Sequence, residues 1–219
     1  MKKEIDLLKN YPKSKRDLST RALKKTDEVR NIARKFGAEF FDGDRMYGYG
    51  GFYYNSKYWE KTVKDFKDYW KLNSETTLLD VGCGKGFMLY DLINEVPGIK
   101  VKGIDVSHYA IENSKPEVKD YLEVANAKSL PYEDKSFDVV LSINTIHNLD
   151  KSECEMALKE ITRVSKYHSF ITVDAFRNEE EKKRMYDWNL TAKTIMSVEE
   201  WKVFFSECDY KGDYYWFIP

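Results

Sequence analysis

The chain has 219 residues, 42% of them hydrophobic, with a formal charge of −1, enough for one domain with a full core and no whole-molecule bias toward nucleic acid or acidic partners. Its three scattered cysteines and three histidines lack the spacing of a disulfide framework or a zinc cluster, so no metal site is expected. No run approaches 18 consecutive apolar residues and no apolar h-region follows the charged N-terminus, which predicts a cytoplasmic protein without membrane association.

Residues 1–35 hold 12 Lys/Arg against 5 Asp/Glu, a local excess of +7 that leaves the remainder at −8. Such a segment reads either as a basic docking arm or as a solvated helical face. Apolar spacing predicts helices over 1–10 and 18–36, the second on Leu18, Ala22, Val29, Ile32, Ala33 and Phe36, with Pro12 between them. Residues 40–54, which include Tyr47-Gly48-Tyr49-Gly50-Gly51, are too glycine-rich for a helix and too aromatic for an idle linker. A helix returns over 57–72, with Trp59, Val63, Phe66, Tyr69 and Trp70 on one face.

From residue 74 onward strands and helices alternate. Strands are predicted near 77–81, 101–105, 121–124, 137–143 and 169–174, and helices near 86–95, 107–114 and 151–165. This order predicts an α/β, doubly wound, mostly parallel sheet with helices on both faces. A helix starting at Asn178 follows, then one from Val198 to Cys208 with Ser197 and Glu200 as a capping box. The stretch 213–219 reads as a single last strand.

The most informative run is Leu78-Leu79-Asp80-Val81-Gly82-Cys83-Gly84-Lys85-Gly86. An apolar strand ends on an acid and turns through three alternate glycines into the helical pattern Phe87-Met88-Leu89-Tyr90-Asp91-Leu92-Ile93. A dinucleotide fingerprint spaces its glycines G-x-G-x-x-G to seat a pyrophosphate at the helix N-terminus. Here the third glycine comes one residue early, Phe87 fills the expected slot, and Asp80 would repel a phosphate. A ligand with an ammonium group and no phosphate suits the run better.

The motif resembles that of the class I S-adenosylmethionine-dependent methyltransferases, and the likeness spans residues 74 to 175. Val101-Lys102-Gly103-Ile104-Asp105 matches the strand whose terminal acid grips the ribose hydroxyls, 19 positions after Gly86. The resemblance implies a Rossmann-like core over 74–219, preceded over 1–73 by a helical extension with an aromatic, glycine-rich lid. It implies S-adenosylmethionine as cofactor and S-adenosylhomocysteine as product. Asp80 and the turn Gly82, Cys83, Gly84 and Gly86 would then hold the methionine end. Asp105 and Val106 would meet the ribose side, and Asn126-Ala127, where the family usually has an acid-Ala pair, the adenine. Asn144 opens the substrate-facing loop.

His147 in that loop is the candidate general base, because it titrates near neutral pH; Tyr47 and Tyr49 are candidates for positioning the nucleophile. The expected reaction is methyl transfer to an oxygen or nitrogen of a small molecule by a monomer or homodimer. An RNA or protein methyltransferase using the basic arm is the alternative, followed by a non-catalytic cofactor-binding subunit.

Overall fold

A computed structural model of the chain describes residues 3–13 and 25–219. Leu18 and Ala22 of the expected second helix lie outside the described residues. The rest of that helix is α1 (Asp27–Ala33), capped by the Thr26 side chain on the Val29 N–H. It stops short of Phe36, which takes a left-handed φ of 49° and turns the chain into α2 (Ala38–Phe41). α3 (Glu60–Trp70) then buries Val63, Phe66 and Trp70.

The alternating region folds as predicted. β1 (Thr77–Val81), α4 (Phe87–Glu95), β2 (Lys100–Asp105), α5 (His108–Glu112), β3 (Leu122–Val124), β4 (Phe137–Ile143), α6 (Lys151–Val164) and β5 (Ser165–Phe176) follow one another. The strands lie in the order β3-β2-β1-β4-β5, every pair parallel. Successive side chains alternate between the faces of such a sheet. Leu79, Val81, Val140, Ile171 and Val173 pack with Cys154, Leu158 and Ile161 of α6. Leu78, Val139, Leu141 and Phe170 pack instead with Phe66 of α3 and with Met88 and Leu92 of α4. Both faces are thereby covered, which is why the strands read as near-continuous apolar runs.

Two expectations about the ends of the sheet need correction. α7 (Glu179–Trp188), β6 (Met196–Ser197), α8 (Val198–Glu207) and β7 (Asp213–Phe217) follow β5, so two strands close the sheet rather than one. Both run parallel to β5: β7 pairs with Phe170–Asp174 and β6 with Ala175–Phe176. β5 can host both because its 12 residues outreach its neighbours.

The expected helix over 1–10 is also absent from the described part of that segment. Glu4 bridges Tyr214, with Ile5 N–H donating to Tyr214 O and Tyr214 N–H donating to Lys3 O, each at 3.0 Å. A ten-residue helix is marginal by itself, whereas the open edge of β7 offers unpaired backbone groups and a floor for Leu7, which is buried.

Candidate active site

The order of strands reverses between β1 and β4, and sheets of this kind bind their ligands beyond the carboxyl ends of the strands at that point. Asp80 sits there on β1, level with Gly103 of β2 and Leu141 of β4. It is only 4% exposed, and among the described residues no donor bonds its carboxylate. Burial pushes its pKa up to about 8, with the nearby Asp105 charge adding to the rise. A buried acid in this condition favours a cationic partner.

Asp105, at the tip of β2, is held in place. Its Oδ2 accepts the Gly84 N–H at 2.8 Å and its Oδ1 accepts the Ser107 N–H at 2.9 Å. Burial raises its pKa, and these backbone bonds oppose the rise. Each oxygen keeps a lone pair, so the fixed carboxylate can accept from two vicinal hydroxyls.

The glycine turn is tied together by its own backbone. Gly82 and Cys83 both donate to Ile104 O, Gly84 to Asp105, and Gly86 to Cys83 O. Those N–H groups are spent on shaping the turn, so what the glycines provide is close approach rather than donors. At Gly82, with φ 92°, an added Cβ would fall 2.1 Å from the Thr145 hydroxyl oxygen. The Cys83 side chain turns inward against Gly103, and burial pushes its thiol well above the usual range.

At the tip of β4, Asn144 is exposed and takes a left-handed φ of 53°. Asparagine tolerates that conformation better than most residues. It is pinned there: its N–H reaches the Thr172 hydroxyl at 2.9 Å, and that hydroxyl donates to Asn144 Oδ1 at 2.9 Å.

His147 follows in a 3-10 turn and is buried. Its Nδ1 accepts the Asp174 N–H at 3.1 Å, while its Nε2 lies 3.6 Å from Asp174 Oδ1. Burial lowers its pKa and the Asp174 charge opposes that. The neutral ring therefore carries its proton on Nε2, and its one accepting nitrogen is already occupied. His147 is expected as a general base, and here its Nδ1 links the β4 tip to β5. Its carbonyl also receives the N–H groups of Lys193 and Thr194, each at 3.0 Å.

The remaining candidates scatter more widely. Val106 is exposed beside Asp105. Asn126 is exposed with its Oδ1 turned onto the Lys128 N–H at 3.0 Å, so it closes its own turn, while Ala127 packs against the core below. Tyr49 joins an aromatic roof, its ring centroid 4.3 Å from that of Phe52. Tyr47 lies apart from that roof, against the small cluster of Val29, Ala33 and Leu190.

Several residues that shape the site gave no local signal. Asp42 Oδ2 accepts from Lys85 Nζ at 2.6 Å and from the Tyr109 hydroxyl at 2.7 Å, while its Oδ1 accepts the Phe52 N–H at 3.0 Å. Burial works to raise the Asp42 pKa, but the ammonium and the two other donors outweigh it and leave it lowered. On the other flank, α1 and the residues around it dock on the end of α7 and the loop after it. Arg30 donates to the carbonyls of Asn189 and Leu190, Arg34 to those of Thr191 and Ala192, and Lys25 to those of Asp187 and Trp188. These cations of the basic segment are used inside the molecule. Only Ser107, a cap directly after a strand acid, could have been picked from its position.

The residues present fit a phosphate-free nucleoside bearing a cation: an undonated buried acid, a fixed bidentate acceptor and a glycine turn that admits a close neighbour.

Residues 72–217 match the family model described as a methyltransferase domain. The chain is 33% identical over 134 residues to the tRNA (carboxymethyluridine(34)-5-O)-methyltransferase of Arabidopsis thaliana, covering 59% of this chain and 31% of that protein. It is 34% identical over 85 residues to the 27-O-demethylrifamycin SV methyltransferase of Amycolatopsis mediterranei, covering 36% and 31%. The chain thus spans about a third of the length of the curated relatives it matches. Among solved structures it resembles the YcgJ protein of Bacillus subtilis, with TM-score 0.56, 19% identity, and coverage of 67% of this chain and 66% of that one. That likeness speaks to fold alone.

Proposed function

The chain belongs to the methyltransferase-domain family, the class I S-adenosylmethionine-dependent methyltransferases, and on that premise we propose that it methylates an oxygen or nitrogen nucleophile of a small molecule. The observation that carries the cofactor half is the buried Asp80 carboxylate, which has no donor among the described residues. S-adenosylmethionine supplies a methyl group on an already activated sulfonium. The protein's work is to orient, to exclude water and, where the acceptor needs it, to accept a proton.

In this reading Asp80 faces the methionine ammonium and Asp105 the ribose hydroxyls. Val106, Asn126 and Ala127 flank the adenine, and Asn144 marks the boundary with the acceptor. The aromatic roof of Phe41, Tyr49 and Phe52 closes the methionine side against water. His147 acts as a positioning residue, and Tyr47 and Tyr49 orient the acceptor. Residues 1–73 work as extension and lid on a 74–219 core.

A small acceptor is favoured over RNA because Lys25, Arg30 and Arg34 are bound to backbone carbonyls rather than displayed to a phosphate chain. The tRNA-modifying relative is the reason to keep RNA in the experiment. Purified protein is incubated with methyl-labelled S-adenosylmethionine and with extract separated into metabolites, RNA and protein. Label in the metabolite fraction is expected; label only in RNA or protein would overturn the small-molecule reading.

A further inference from the structure

The Asp42 carboxylate gathers three donors from three parts of the molecule: the Lys85 ammonium of the glycine turn, the Tyr109 hydroxyl of α5 and the Phe52 N–H of its own segment. The Lys85 side chain is 6% exposed, and among the described residues Asp42 is the carboxylate that pairs with it. The segment it fastens lies against both residues whose N–H groups hold Asp105. A Cβ on Gly84 would lie 3.4 Å from the Phe52 ring and 3.8 Å from the Phe41 ring. The Ser107 hydroxyl donates to Phe36 O at 2.5 Å. Phe52 in turn stacks on Phe87 at the start of α4, ring centroids 4.9 Å apart.

We propose that Asp42 and Lys85 form a clasp that fastens residues 36–54 over the glycine turn, and that opening this clasp governs exchange of the cofactor and its demethylated product. The inference rests on the methyltransferase reading above. Asp42 acts on the ligand through the turn and through Asp105, so it is a positioning residue. A charge-assisted bond inside a shielded contact is among the stronger polar links a surface segment can make. Breaking it leaves the Lys85 ammonium buried without its partner, which favours the open segment.

The experiment uses the full chain and S-adenosylhomocysteine as the probe. Dissociation is followed by stopped-flow tyrosine and tryptophan fluorescence, and affinity by calorimetry. Asp42→Asn and Lys85→Met should each speed dissociation about tenfold or more. The double variant should be no faster than either single one, because both remove one link. Tyr109→Phe, which deletes one donor and leaves the ion pair, should give a smaller change in the same direction and serves if the others fold poorly. Proteolysis within 36–54 should be slowed by the ligand in the native protein and not in Asp42→Asn. Unchanged dissociation in Tyr109→Phe and in the folded charge variants would overturn the clasp. A native protein that binds no S-adenosylhomocysteine would instead overturn the methyltransferase reading itself.

Discussion

Asp80 is the residue on which a measurable pH response should centre. Its folded pKa is raised to about 8 from 3.8, so the folded state holds a proton that the unfolded chain has lost across that interval. Stability therefore falls as pH rises through it. His147 works the other way, because its lowered pKa makes the unfolded chain the better proton binder below its ordinary 6.5. The His147 trend fades above about pH 7, where the unfolded imidazole is mostly neutral, and the Asp80 trend continues to about pH 8. Between those values the ligand-free protein should melt lower as pH rises, and Asp80→Asn should flatten that slope in calorimetric scans. A cationic ligand needs the ionised carboxylate, so binding below pH 8 should release a proton, visible as a buffer-dependent heat. Asp80 was legible from its place ahead of three glycines. The bond at His147 Nδ1 was not, because only the folded chain brings the Asp174 N–H to it.

Among the elements, α1 is defined by what it touches rather than by its own length. Seven residues make a weak helix alone. Arg30 and Arg34 compensate by donating to four consecutive carbonyls in the loop that follows α7, acceptors that no helix or strand ladder uses. The same loop donates two N–H groups to His147, so α1 is linked to the β4 tip through one intermediary. Arg30→Ala combined with Arg34→Ala should cost about 1–2 kcal/mol of stability, read by thermal or urea melts. It should raise the KM for the acceptor more than that for the cofactor, and leave affinity for RNA unchanged. A selective loss of RNA binding would restore the docking-arm reading. The spacing of Val29, Ile32 and Ala33 made the helix itself predictable. Its docking partner lay some 160 residues away in sequence, beyond any local pattern.

At the scale of the whole molecule, the sheet is closed on one side by the chain's own beginning. Residues 3–5 pair with β7, whose Tyr214 would otherwise present a bare N–H and carbonyl at an edge. Deleting residues 1–10 should lower the melting temperature and promote self-association on size-exclusion chromatography, with affinity for S-adenosylhomocysteine little changed. The sequence by itself determined the alternation of strand and helix, the glycine turn and the two acids, since each rests on a period or a spacing within a few residues. Tertiary structure alone decided that β6 and β7 share one strand, that residues 3–5 extend the sheet, and that Asp42 meets Lys85. Those outcomes depend on which unpaired backbone edge or buried charge stands nearest once the core has formed, and contacts between distant segments leave no periodic trace in the chain.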